Sequence, residues 1–185
     1  RRQRPMCIRD RSKAEARLKG EKNFVSLSAR AEETGLADGS VDLITAAQSF
    51  HWFDPVSCGR EFRRILRPGG SVMLVWNNRL DDRGDFNIAY ERLLKEHYAD
   101  DSRGMTDEEL DRRIDALFEG DFERIDYDNY QHLDLDGLRG RLRSSSYCPR
   151  PDHPTFVPLM NALEALFQAH QSSGTVSMLY RTEVY

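Results

Sequence analysis

Two short apolar runs set the pattern of the chain. Val41 to Ala47 (VDLITAA) and Ser71 to Trp76 (SVMLVW) are nearly continuous, as expected of strands buried on both faces of a parallel sheet. Between them Phe62, Ile65 and Leu66 recur at helical spacing, with Arg60, Glu61, Arg63 and Arg64 on the wetter side. That pattern predicts a helix, and Pro55 can open its first turn. Arg67-Pro68-Gly69-Gly70 closes it. Proline presets φ for the second position of a type II turn, and glycine supplies the positive φ needed at the third. Strand, helix-length crossover and strand form a right-handed βαβ unit. The expected fold class is therefore α/β, with a mostly parallel sheet and helices on both faces.

The flanks add further elements. Lys13 to Leu18 reads as a helix tail closed by Gly20, and Phe24 to Leu27 is an apolar run of strand length. Phe86 to Tyr98 and Asp107 to Phe118 are amphipathic helices, the second with Thr106 as N-cap and Glu109 as its capping-box partner. Phe122 to Leu133 and Thr175 to Tyr185 alternate as strands do. Leu138 to Ser145 and Phe156 to His170 are helices separated by a loop holding Pro149, Pro151 and Pro154. The last two strands are expected to pair antiparallel at a sheet edge, with a helical cap inserted between them. The chain divides accordingly into 13–78, 79–134, 135–173 and 174–185, behind a basic prefix, 1–12.

Charge isolates that prefix. The chain carries −4 overall, yet residues 1–20 hold eight Lys or Arg against two acids, leaving −10 on the remaining 165. No apolar stretch follows to make a secretory signal, and Arg1 to Ser12 (RRQRPMCIRDRS) reads as sequence foreign to the fold. The net negative charge argues against a general nucleic-acid partner. The longest apolar runs fall far short of the ~20 residues a membrane helix requires. Cys7, Cys58 and Cys148 are odd in number, widely spaced and without neighbours at metal-ligand spacing. A disulfide framework and a metal site are not expected, and a cytoplasmic location is.

In an open parallel sheet, ligands bind beyond the carboxyl ends of the strands. The loop after the first apolar run is Gln48-Ser49-Phe50-His51-Trp52-Phe53-Asp54, and Asn77-Asn78-Arg79 follows the second. Three aromatics and a histidine make an unusual connection unless some face a ligand. Each alone has a plainer reading, as a hydrogen-bonded loop histidine or as aromatics packed beneath the next helix.

Their order is more specific. Ala31-Glu32, Leu36, Asp38-Gly39-Ser40-Val41-Asp42-Leu43, His51-Trp52-Phe53, Glu61, Arg64 to Leu66 and Pro68-Gly69-Gly70 resemble the Rossmann-like S-adenosylmethionine-dependent methyltransferases of the bacterial small-molecule type. The motifs span Phe24 to Asn77. The resemblance implies a partial Rossmann-like sheet with an antiparallel edge, S-adenosylmethionine as cofactor and a small-molecule substrate. It places Arg30, Ala31 and Glu32 around the adenine, although many relatives carry an acid where Arg30 stands. Gln48 and Ser49 fall beside the methionine part of the cofactor, with His51 and Trp52 between cofactor and substrate. His51 is the candidate base, with an intrinsic pKa suited to that duty. Asn77 and, from the cap, Tyr147 are candidate substrate contacts. The family's glycine-rich motif and ribose-binding acid should precede Glu32 and are absent from these residues, which makes the chain read as a truncated methyltransferase. A nicotinamide dehydrogenase and a non-catalytic binding subunit are the competing readings. The former needs G-x-G-x-x-G opening the domain, which is not found.

Overall fold

The computed structural model describes residues 5–97, 105–145 and 147–185. Their elements are α1 (Pro5–Arg17), β1 (Val41–Ala47), α2 (Pro55–Ile65), β2 (Leu66–Arg79), α3 (Asp85–His97), α4 (Asp107–Phe118), β3 (Ile125–Leu133), α5 (Leu135–Arg143), α6 (Phe156–His170) and β4 (Val176–Val184). The sheet order is β1-β2-β4-β3. β1 and β2 run parallel, β2 and β4 antiparallel, and β4 and β3 antiparallel. This is the expected α/β sheet with its antiparallel edge, and α5 and α6 form the cap between the last two strands.

The period-two alternation of β4 separates two cores. Val176, Met178 and Tyr180 pack with Leu93, Leu94, Leu138, Leu142, Leu159 and Leu163 of α3, α5 and α6. On the opposite face Tyr185 joins Ala46, Leu74 and Trp76 with Cys58 and Phe62 of α2 and Ile114 and Leu117 of α4. Helices therefore cover both faces.

Local chemistry explains most boundaries. Asp54 caps α2 by accepting from the Ser57 N–H at 2.8 Å, and Pro55 fills the first turn. Thr106 caps α4 through the Glu109 N–H. The Pro68-Gly69-Gly70 turn folds out of the start of β2, so that Val41 pairs with Leu66 but Leu43 with Ser71. Gly69 takes the expected positive φ of 81°. A Cβ on Gly70 would lie 3.0 Å from the Asp42 carbonyl, so the turn seats against β1 only with glycine there.

Some expectations change. Phe24 to Leu27 is not a strand: no described strand lies alongside it, and Val25 and Leu27 stay 75% and 50% exposed. An apolar run becomes a strand only when a neighbour takes its backbone hydrogen bonds. α5 begins at Leu135 rather than Leu138, because Asp134 caps it through the Gly137 N–H. The expected end of α3 at Tyr98 lies outside the described residues. α1 crosses residue 12 without a break. Among the described residues, no helix is long and apolar enough to cross a membrane.

Candidate functional site

β1 ends in a kink that joins it to β2. Gln48 adopts φ 51°, a left-handed conformation uncommon for a residue with a side chain. Its N–H donates to the Val75 carbonyl at 2.9 Å, and its Nε2 donates to the Asn77 carbonyl at 3.1 Å. Two carboxyl strand ends are thereby fixed side by side. Backbone held in a sparsely populated region is a recurrent feature of functional rims.

Ser49 then opens a single 3₁₀ turn, Phe50–Trp52. Its aromatics divide between two roles. Phe50 is fully buried, edge-on to Phe53 and Trp76 at 6.0 and 6.2 Å. It anchors the turn to the core. Trp52 stays 48% exposed, with the His51 ring 4.4 Å away. An Nη2 of Arg113 from α4 donates to the Phe53 carbonyl and holds the end of the turn.

The segment around Arg30 lies against the start of α2. Glu32 accepts from the Asp54 N–H at 3.1 Å and pairs with Arg30 at 3.4 Å. Burial pushes the Glu32 carboxyl up, but the Asp54 N–H and Arg30 outweigh it and hold the group below its usual range. Glu61 supports this segment from beneath. One oxygen accepts from the Thr34 N–H at 2.8 Å, the Thr34 hydroxyl at 2.5 Å and Arg64 at 2.8 Å; the other accepts from Arg64 Nε at 2.9 Å. Arg64 also reaches Asp38 at 2.5 Å. The Arg64 guanidinium, then Thr34, pull the Glu61 carboxyl down to about 2. A cavity of about 440 Å³ opens here, lined by Arg30, Glu32, Asp54, Ser57, Arg60 and Glu61 among others. Cys58, behind it, is fully buried. Burial first, with Glu32 and Asp54 adding, pushes its thiol up to about 12, so it is no nucleophile.

The candidate residues thus fall into three places. Arg30, Ala31 and Glu32 meet the start of α2, with Arg30 and Glu32 lining the cavity. Gln48, Ser49, His51 and Trp52 form the rim loop, tied to the former group through Glu32 and Asp54. Asn77 meets Gln48 through its carbonyl, but its Oδ1 accepts from Thr182 at 3.0 Å and Asn129 at 3.1 Å, facing β4 and β3. Tyr147 belongs to the cap, 43% exposed, and lines neither this cavity nor the second described below. Sequence reasoning gave no role to Glu61 or Arg113. Glu61, expected on the wetter side of its helix, is instead buried, because its carboxylate is taken up by Thr34 and Arg64; Arg113 carried no signal. Among the described residues, no three His, Cys, Asp or Glu side chains are placed to hold a metal ion.

The chain thus has an α/β sheet with a parallel pair, a polar rim at its carboxyl strand ends and a cap before the last strand. A solved structure of a type II methyltransferase candidate from Anaeromyxobacter dehalogenans shares this fold, with TM-score 0.53 and 21% identity over 84% of this chain and 67% of that one. A family profile described as a methyltransferase domain matches residues 6–74. An uncharacterized methyltransferase of Mycobacterium tuberculosis is 51% identical over 59 residues, 32% of this chain and 24% of that protein. One of Schizosaccharomyces pombe is 46% identical over 44 residues, 24% of this chain and 18% of that protein. The aligned stretch is about a quarter of the mycobacterial relative.

Proposed function

We propose that this chain is part of a methyltransferase that uses S-adenosylmethionine to methylate a small molecule. The observation that carries the reading is the junction of two loops, 30–34 and 48–54, at one end of a parallel strand pair, within the segment matched to a methyltransferase domain. The cofactor would supply an activated methyl group for in-line displacement. Arg30, Ala31 and Glu32 would border its adenine; Gln48 and Ser49 would border its methionine part.

What this chain's own residues contribute is placement. Aligning the reacting groups is worth ~7–11 kcal/mol of barrier lowering, and it demands a rim that does not drift. Gln48 locks the two strand ends together, Arg113 holds the end of the 3₁₀ turn, and Glu61 holds Thr34. The exposed face of Trp52 offers π density to a cation, worth ~0.5–2 kcal/mol. His51 beside it would take a proton from a hydroxyl or amine acceptor.

Calorimetry on the full-length parent protein tests the reading. S-adenosylhomocysteine should bind and NAD should not; the reverse would replace this function with a dehydrogenase's. His51→Ala should leave that binding intact while abolishing the rise of turnover with pH on the acid side of the profile. An unchanged profile would remove His51 from proton transfer.

A further inference from the structure

A second cavity, about 500 Å³, opens where α3 begins and α6 ends, beside the paired ends of β3 and β4. Asp85, Phe86, His132, His170, Thr175 and Ser177 are among its lining residues. It shares no lining residue with the cavity beside Arg30, and no motif in the sequence marks it.

Its walls are built to stay in place. Asn87 is fully buried and directs its whole side chain at backbone. Nδ2 donates to the carbonyls of Leu80 at 2.6 Å and Leu179 at 2.8 Å, and Oδ1 accepts from the Leu179 N–H at 3.0 Å. The start of α3 is thus clamped to β4. Gly84 takes φ 74°, and a Cβ there would lie 2.9 Å from Leu179 Cδ1. A cavity whose shape is set before a ligand arrives loses little ordering entropy on binding.

The lining chemistry selects a class of ligand. Phe86, with the His170 ring at 6.0 Å and inclined at 67°, and Leu179 make an apolar floor. No Lys or Arg lines the cavity, and the one fixed charge is the Asp85 carboxylate. His170 Nδ1 lies 3.0 Å from the Leu166 carbonyl. A carbonyl only accepts, so Nδ1 carries a proton there. His132 Nδ1 lies 2.8 Å from the Ser177 hydroxyl. The Asp85 carboxylate and the apolar floor, with no fixed cation, disfavour carboxylates and phosphates. They suit a ligand that brings donors and positive charge on an apolar body.

We propose that this cavity binds a small amine with an aromatic or branched apolar body, its ammonium facing Asp85 and its body resting on Phe86 and Leu179. This binding goes beyond the methyl-transfer reading and does not rest on it, since the cavity shares no residue with the proposed cofactor rim.

Benzylamine, benzyl alcohol and benzoate, each titrated into the full chain, test this. The readout is the Cε1–H proton resonances of His132 and His170, assigned with His132→Gln and His170→Gln, at mildly alkaline pH where ordinary histidines are neutral. Benzylamine should shift both signals, benzyl alcohol should bind more weakly, and benzoate should do neither. Asp85→Asn should weaken benzylamine roughly two- to fivefold, an exposed ion pair's contribution, and leave benzyl alcohol unchanged. Ser177→Phe, a substitution on an exposed strand position, should fill the cavity and abolish both. Benzoate binding as tightly as benzylamine, indifference to Asp85→Asn, or no shift at the solubility limit would overturn the proposal. S-adenosylhomocysteine calorimetry reports separately on the function itself, so either can fail alone.

Discussion

The two ends of the molecule solve the same problem with different materials. Around Glu61 the 30–38 segment is held by charge: one buried carboxylate collects Thr34 and Arg64, and Arg64 carries the tie on to Asp38. Around Asn87 the start of α3 is held by a neutral amide that replaces a missing stretch of backbone pairing, amid leucines from three helices. A charged hub responds to pH and tolerates partial exposure. A neutral amide in an apolar core does neither, but every one of its bonds must be made. The rim should therefore be tunable and the cap region should fail all at once.

Removing the amide should have the largest effect. Asn87→Ala takes the partner from the Leu179 N–H and the Leu80 carbonyl, each at ~1–3 kcal/mol, while the Leu179 carbonyl keeps the Leu80 N–H at 3.1 Å. Allowing for relaxation, about 3 kcal/mol of stability should be lost in urea unfolding, at every pH. Benzylamine binding should disappear with it, because the wall beside Gly84 is no longer clamped. A loss under 1 kcal/mol would mean that the apolar packing alone places α3.

Glu61→Gln should come next, at ~2 kcal/mol near neutral pH, in the range of hydrogen bonds to a charged group. Its signature is pH. The folded carboxyl titrates at about 2, below its ordinary 4.5. Its contribution is therefore complete above about 4.5 and lost as pH falls from there towards 2. The wild-type and Glu61→Gln proteins should converge in urea unfolding across that window and differ by a constant amount above it. A difference that persists at pH 2 would assign the role of Glu61 to packing. Since Thr34 belongs to the segment beside the proposed adenine site, the variant should also bind S-adenosylhomocysteine more weakly in the full-length parent.

How much of this could be read in advance follows the same division. β1, α4 and α6 matched their apolar periods residue for residue, since local pattern and caps decide them. β2 was longer than its apolar core because the Pro68-Gly69-Gly70 turn pairs on both sides of its bulge. Phe24 to Leu27 was misread because strand formation depends on a partner that a local pattern does not contain. At the rim, the order of short motifs placed Gln48 and Glu32 near one another, and the Glu32 to Asp54 hydrogen bond connects their loops. The link through Arg113 crosses 60 residues, and Asn87 reaches Leu179 across 92. Contacts at such separations arise from topology and leave no trace in a window of neighbouring residues. Asn87 in particular reads as one more polar position at a helix start.

The smallest expected change in stability separates folding from function at the rim. Gln48 sits at φ 51°, where a side chain costs ~1–2 kcal/mol that glycine does not. Its Nε2 recovers part of that by bonding the Asn77 carbonyl, a neutral hydrogen bond worth ~1 kcal/mol. Gln48→Gly removes both terms, so the midpoint of unfolding should move by less than ~1 kcal/mol in either direction. The glycine also frees the backbone between β1 and the 3₁₀ turn, and a site that depends on fixed geometry loses binding when its hinge loosens. S-adenosylhomocysteine affinity in the full-length parent should fall roughly tenfold, or ~1.4 kcal/mol, against that nearly constant stability. Gln48→Ala, which keeps the strained backbone and deletes only the amide, should destabilise by about 1 kcal/mol and weaken binding less than glycine does. If alanine and glycine weaken binding equally, the amide contacts the ligand itself. If neither weakens it, the kink at the end of β1 belongs to the sheet and not to a cofactor site.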